Sequence, residues 1–210
     1  MIFVLPGMGA DHRMYQAPAW HTLAETRFLD WPKHRGEDSI TAIADRMIAE
    51  AGINAGDTVI GSSLGGIVGC EIANRLRLHA LVLVGSAQSA TEISGLLAAL
   101  YPLAALAPLD FIRLSAGKLP GELCEMFVDS QTSFIRAMCR AIFTWPGLDL
   151  ARQRPIRLHG RHDRVIPLPP GADLVLDAGH LLAMTHAAEC VAFLNAHRPW
   201  AAHDQRDRLT

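Results

Sequence analysis

The sequence predicts an α/β protein, a mostly parallel sheet of about six strands with helices on both faces. Two observations carry that expectation. Short aliphatic runs alternate with stretches whose apolar residues recur every three or four positions, the mark of buried strands followed by covering helices. In addition, Gly61-Ser62-Ser63-Leu64-Gly65 joins a strand-like run, Asp57 to Ile60, directly to a helical one, Ile67 to Ala73.

Taken in order, the strands are expected at Ile2 to Leu5, Thr26 to Asp30, Thr58 to Ser62, Ala80 to Gly85, Ile156 to His159 and Asp173 to Leu176. Helical periodicity fills Ile40 to Ala51, Leu64 to Leu76 and Ala183 to His197. The stretch between the fourth and fifth strands does not follow the alternation. Its Leu96 to Pro108 is strongly apolar, but Pro102 and Pro108 interrupt it and it falls short of the ~20 residues that a membrane span needs. Amphipathic patterns follow at Pro120 to Val128 and Ser133 to Phe143, ending at Trp145-Pro146-Gly147. The insertion is either ordinary helical packing or a lid that forms an apolar substrate pocket over the sheet edge. The expected organisation is a core of 1–87 and 151–199, a helical lid over 88–150 and a polar tail over 200–210.

Composition excludes several functions. With 210 residues, 50% hydrophobic and 19% charged, the chain can bury one sizeable core. A net charge of −2 offers no electrostatic case for nucleic acid or an anionic membrane, so the expected partner is a small molecule, with a homodimer left open. Met1 to Gly7 lacks the basic start and long apolar stretch of a secretory leader, which implies a cytoplasmic location. Cys70, Cys124, Cys139 and Cys190 are scattered without metal-type or disulfide-type spacing and are expected to act as small hydrophobes.

The chemistry starts at Ser63. Glycines two positions to either side, Gly61 and Gly65, permit a turn tight enough to lift the serine hydroxyl above the sheet edge. The helix that follows points its first amides at the nucleophile, so the Leu64 N–H becomes a donor for a developing oxyanion. A nucleophilic serine needs a base and an acid to orient it. Asp163 stands in the loop after the fifth strand, in Gly160-Arg161-His162-Asp163, and His180 stands just past the sixth, in Asp177-Ala178-Gly179-His180. Ser62 is expected to face the core, Asp177 to be solvated or to cap a turn, and His159, His162 and His186 to be surface or structural groups, while His12, which follows the first loop, either lines the pocket or caps the next turn. His159, His162 and Asp163 lack a fourth ligand, so no metal is expected.

The chain order Ser63, Asp163, His180 resembles the α/β-hydrolase fold family, as do the H-G-x-x-D-x-x-x-P run over His159 to Pro167 and the Gly179-His180 pair. By that resemblance Leu5-Pro6-Gly7-Met8-Gly9 is the first oxyanion loop, with the Met8 N–H as second donor, although Pro6 stands where many members carry His. Some relatives place the acid after the strand preceding the lid. Here that position reads Gly85-Ser86-Ala87-Gln88, without a carboxylate.

The resemblance implies a serine hydrolase that cleaves a small to medium apolar carboxylic ester or thioester through an acyl-enzyme and needs no cofactor. The alternatives are a non-catalytic ligand receptor on the same fold, or a lyase or haloperoxidase using the same triad. A nucleotide site at Gly61 to Gly66 is disfavoured because no Lys follows the glycines.

Overall fold

A computed structural model describes residues 1–93 and 121–197. Its six strands are β1 (Ile2–Leu5), β2 (Thr26–Phe28), β3 (Thr58–Ser62), β4 (Ala80–Val84), β5 (Ile156–Gly160) and β6 (Leu174–Leu176), hydrogen-bonded in the order β2-β1-β3-β4-β5-β6. Every neighbouring pair is parallel. The helices are α1 (Ile40–Ala51), α2 (Leu64–Arg75), α3 (Gly121–Asp129), α4 (Thr132–Thr144), α5 (Leu182–Thr185) and α6 (Ala187–His197).

The two faces of the central strands feed two separate cores. Phe3, Leu5, Val59, Leu81 and Leu83 point to one face and pack with α1, α2 and α4. Ile2, Val4, Ile60, Val82, Val84 and Leu158 point to the other and pack with Tyr15, Trp20, α5 and α6. Burial on both faces is why these strands read as unbroken aliphatic runs; each fully buried Leu or Ile contributes roughly 1.5–3 kcal/mol. The first helix is delimited locally: the Ser39 hydroxyl accepts from the Ala42 amide, and Gly52 ends the helix at φ 72°.

Several expected boundaries move: the fourth strand ends at Val84, the fifth at Gly160 and the helix after the elbow at Arg75, each by one residue, and three others differ in ways the packing shows. The second strand stops at Phe28 rather than Asp30, whose carboxylate accepts the His12 amide at 2.8 Å and meets the His12 ring at 2.8 Å. The sixth strand begins at Leu174, one residue late. The helix expected from Ala183 to His197 is two helices broken at His186. The break has a tertiary cause. Trp20, fully buried, donates its indole N–H to the Ala183 carbonyl at 2.8 Å, taking the acceptor that a continuous helix would offer to Ala187.

Of the segment 88–150, residues 88–93 and 121–150 are described; the apolar stretch Leu96 to Pro108 lies outside the described residues. Among the described residues, no helix is long and apolar enough to cross a membrane. The end of α4 is tied back to α2: Trp145 donates to the buried Glu71 carboxylate at 3.0 Å, and Asn74 bonds Gly147 O at 3.0 Å and the Asp149 amide at 2.9 Å. No helix separates β5 from β6, so Leu168 and Val175 remain 41% and 37% exposed at that end of the sheet.

Candidate active site

Ser63 sits at the turn from β3 into α2 with φ 51° and ψ −120°, a conformation that costs a non-glycine residue of order 1–3 kcal/mol and persists only where its surroundings enforce it. The enforcement is visible on both sides. The Ser63 amide donates to Val84 O at 3.2 Å, and the Ser63 carbonyl accepts from the Ser86 hydroxyl at 2.6 Å and from the Gly66 and Ile67 amides at 3.0 and 3.2 Å. A Cβ at Gly61 would collide with the Gly65 backbone, and one at Gly65 would stand 2.5 Å from Leu5 O and Pro6 O. Gly61→Ala therefore forces backbone against backbone, and the expected cost is about 3 kcal/mol or more, read as a lowered urea midpoint.

Ser62 points the other way. It is buried, and its hydroxyl lies 2.8 Å from that of Tyr15. The Tyr15 hydroxyl in turn donates to Leu5 O at 2.8 Å, pinning β1 beside the elbow. Burial pushes the Tyr15 phenol up, so it stays neutral.

The structure brings Ser63, His180 and Asp163 into one hydrogen-bonded line. His180 Nε2 lies 2.9 Å from Ser63 Oγ, and His180 Nδ1 lies 2.8 Å from Asp163 Oδ2. An ionised carboxylate only accepts, so Nδ1 carries the proton and Nε2 is free to accept from the serine hydroxyl. The Asp163 side chain is wholly buried and that of His180 is nearly so. Its other oxygen accepts the Val165 and Ile166 amides at 2.8 and 2.9 Å. Burial alone would raise the Asp163 pKa. The attraction of the His180 imidazolium, with hydrogen bonds from His159, His180 and the Ile166 amide, outweighs it and holds the carboxyl well below the usual carboxylate range.

That depression carries a pH dependence. A carboxyl whose pKa is lowered by folding stabilises the native state above its unfolded value of roughly 3.9, and loses that contribution as pH falls through the folded value. The urea midpoint is therefore expected to fall further between about pH 7 and about pH 3 in the parent chain than in Asp163→Asn, which has no proton to take up there.

The loop after β1 lies directly above the elbow: a Cβ on Gly7 would be 3.6 Å from Ser63 Cβ. The Gly7 carbonyl accepts the Trp31 indole N–H at 2.9 Å and its amide faces Met14 Sδ at 3.4 Å. Among the described residues, no acceptor is bonded to the Met8 or Leu64 amide. Two helices of the insertion touch this loop. From α3, the Phe127 ring packs on Gly9; from α4, the Cys139 thiol contacts Met8 Sδ at 3.5 Å. Arg13 completes the junction, with Nη2 at 2.7 Å from both Asp11 and Asp129. A cleft of about 190 Å³ remains between the two parts, beside the loop after β1 rather than at Ser63 itself, with Trp31, Met126 and Phe134 on its apolar side and Asp11, Asp30 and Asp129 on its polar side.

The remaining candidates separate. Asp177 is 81% exposed and pairs with the exposed His162 at 2.8 Å, away from the buried acid. His186 bonds its neighbour Thr185. His12 is exposed beside Asp30, where Asp11, His12 and Asp30 bring ligand-type atoms within 4.8 Å of one another. Two residues that the sequence flags without partners acquire them here: Ser86 on the elbow carbonyl, and His159, whose buried Nε2 faces Ile166 O at 2.8 Å and Asp163 Oδ2 at 3.4 Å. Both depend on which strand ends meet, which no local pattern encodes.

The chain belongs to the alpha/beta hydrolase family, whose pattern it matches over residues 2–193. It is similar in fold to a thermophilic esterase from Thermogutta terrifontis, with a TM-score of 0.73 at 18% identity over 95% of this chain and 89% of that one. A hydrolase from Oleispira antarctica gives 0.74 at 14% identity, covering 95% and 90%. An enol-lactonase from Burkholderia xenovorans gives 0.65 at 20% identity, covering 93% and 90%. A comparison with curated protein sequences finds no match.

Proposed function

We propose that this chain is a serine hydrolase that cleaves a small to medium apolar carboxylic ester or thioester. The observation that carries the reading is the continuous relay from Asp163 through His180 to Ser63, at 2.8 and 2.9 Å, with the serine on a strained turn that exposes its hydroxyl.

In this reading His180 Nε2 takes the Ser63 proton as Oγ bonds to the carbonyl carbon, and the carbonyl electron pair moves to oxygen. The amides of Met8 and Leu64 stabilise that oxyanion; their lack of acceptors among the described residues leaves both available. Collapse breaks the bond to the leaving alcohol or thiol, which receives the proton from His180. Water then gives a proton to His180 and attacks the acyl-enzyme, releasing the acid and returning the proton to Ser63. Asp163 holds the Nδ1–H tautomer throughout and stabilises the imidazolium. The helices α3 and α4 serve as a lid, and the apolar residues Met126 and Phe134 that they place at the cleft support an apolar acyl or alcohol group.

The fold likeness to an esterase and an enol-lactonase agrees with ester chemistry. The test is labelling by a fluorophosphonate probe with hydrolysis of p-nitrophenyl acetate and butyrate. Labelling and turnover are the expected result; a folded chain that does neither overturns the reading and brings forward a ligand receptor on the same scaffold.

A further inference from the structure

We infer that His159 is a positioning residue for the acid: its Nε2–H bonds the Ile166 carbonyl at 2.8 Å and stands 3.4 Å from Asp163 Oδ2, holding the acid's loop so that the carboxylate faces His180. The inference rests on the serine hydrolase reading above and concerns how its acid is held.

His159 lies on β5, four residues before the acid, and its place is set by strand register, opposite Val175 of β6. It is 1% exposed, and the Asp163 side chain beside it is fully buried. Both atoms that face Nε2, the Ile166 carbonyl at 2.8 Å and Asp163 Oδ2 at 3.4 Å, can only accept. Nε2 must therefore carry a proton in either charge state of the ring. That one N–H reaches the two ends of the acid's loop: it bonds the Ile166 carbonyl, whose own residue donates its amide to Asp163 Oδ1, and it leans on the oxygen that receives His180.

The carboxylate is thus enclosed. Oδ1 takes two amides, Oδ2 takes His180, and His159 stands on the remaining side of Oδ2. The only titratable side chains in contact with Asp163 among the described residues are His159 and His180. Without His159 the Ile166 carbonyl loses its donor, and the loop whose amides hold Oδ1 can shift the carboxylate off the line to Nδ1. Outer-shell donors of this kind, measured chiefly at metal sites, are typically worth 10- to 100-fold in activity.

The first measurement needs no variant: nitrogen-15 NMR of the imidazoles in the parent chain must find His159 protonated at Nε2, and a bare Nε2 overturns the inference. The second compares His159→Phe with His159→Gln, whose amide N–H reaches about as far as Nε2. The phenylalanine variant is expected to lose about 10- to 100-fold in kcat with KM within about twofold, and to displace or broaden the downfield His180 Nδ1–H resonance, while glutamine recovers most of both. A folded phenylalanine variant with the parent's kcat and resonance overturns the inference, as does a loss wholly accounted for by a smaller fluorophosphonate-reactive fraction. If phenylalanine does not fold, the glutamine variant and the parent tautomer still decide. A parent that never labels at Ser63 sinks the hydrolase reading instead, and the tautomer still reports on the contact with Asp163.

Discussion

Ser63→Ala is expected to lower turnover of p-nitrophenyl butyrate by about a million-fold and to abolish fluorophosphonate labelling, with the fold intact. Every bond that holds the elbow runs through backbone atoms of Ser63: its amide to Val84, its carbonyl to Ser86, Gly66 and Ile67. Alanine keeps all of them and tolerates the φ of 51° no worse than serine. What it removes is one oxygen, and that oxygen's partner is His180. A residual acceleration of roughly a thousand-fold or more over water is expected from the oxyanion donors and binding. Retained labelling would move the nucleophile elsewhere. The neighbouring Ser62 is a poor candidate, since its hydroxyl is buried against Tyr15.

Asp163→Asn is the second large effect, with an expected loss of about ten thousand-fold in kcat and KM within about threefold. The reason is donor placement. Val165 and Ile166 present two amides to Oδ1, so the asparagine oxygen must occupy that position and the NH₂ group must face His180. Two donors cannot meet there. The imidazole proton is driven to Nε2, which can then no longer accept from Ser63. The same NH₂ would also stand against the Nε2–H of His159. A loss smaller than tenfold would return the role of acid to Asp177, at present paired with His162 in solvent.

The α/β arrangement and the three residues of the relay were readable because each leaves a local trace. Buried parallel strands write themselves as aliphatic runs, and Val59-Ile60 or Leu81-Val82-Leu83 admit no other reading once glycine and helical periodicity follow. Gly61 and Gly65 flag the elbow because only a residue without Cβ fits against that backbone. Asp163 and His180 were legible through their position just past strand ends, which is where side chains converge above a parallel sheet.

What stayed hidden depends on partners distant in sequence. Nothing near Ala183 announces that Trp20, far away along the chain, will take its carbonyl and break a helix. Asp30 reads as the end of a strand until His12 approaches it. Ser86 and His159 stand in noted strand-end runs that do not name their partners, yet one grips the elbow carbonyl and the other stands behind the acid. Phe127 is one more apolar helix residue until it is seen on Gly9.

The strand order has a consequence for how the molecule is made. From β4 onward, each strand pairs with the one synthesised just before it, so the sheet can grow outward in the direction of translation. Ser63 is in place early, but Asp163 arrives with the loop after β5, and His180 follows only after β6 has been added at the far edge. A nascent chain stalled before that last strand carries a fully formed elbow with no base to arm it. In the proposed hydrolase, the order of synthesis therefore acts as a safety catch: the hydroxyl has no base beside it until the chain after the final strand is in place.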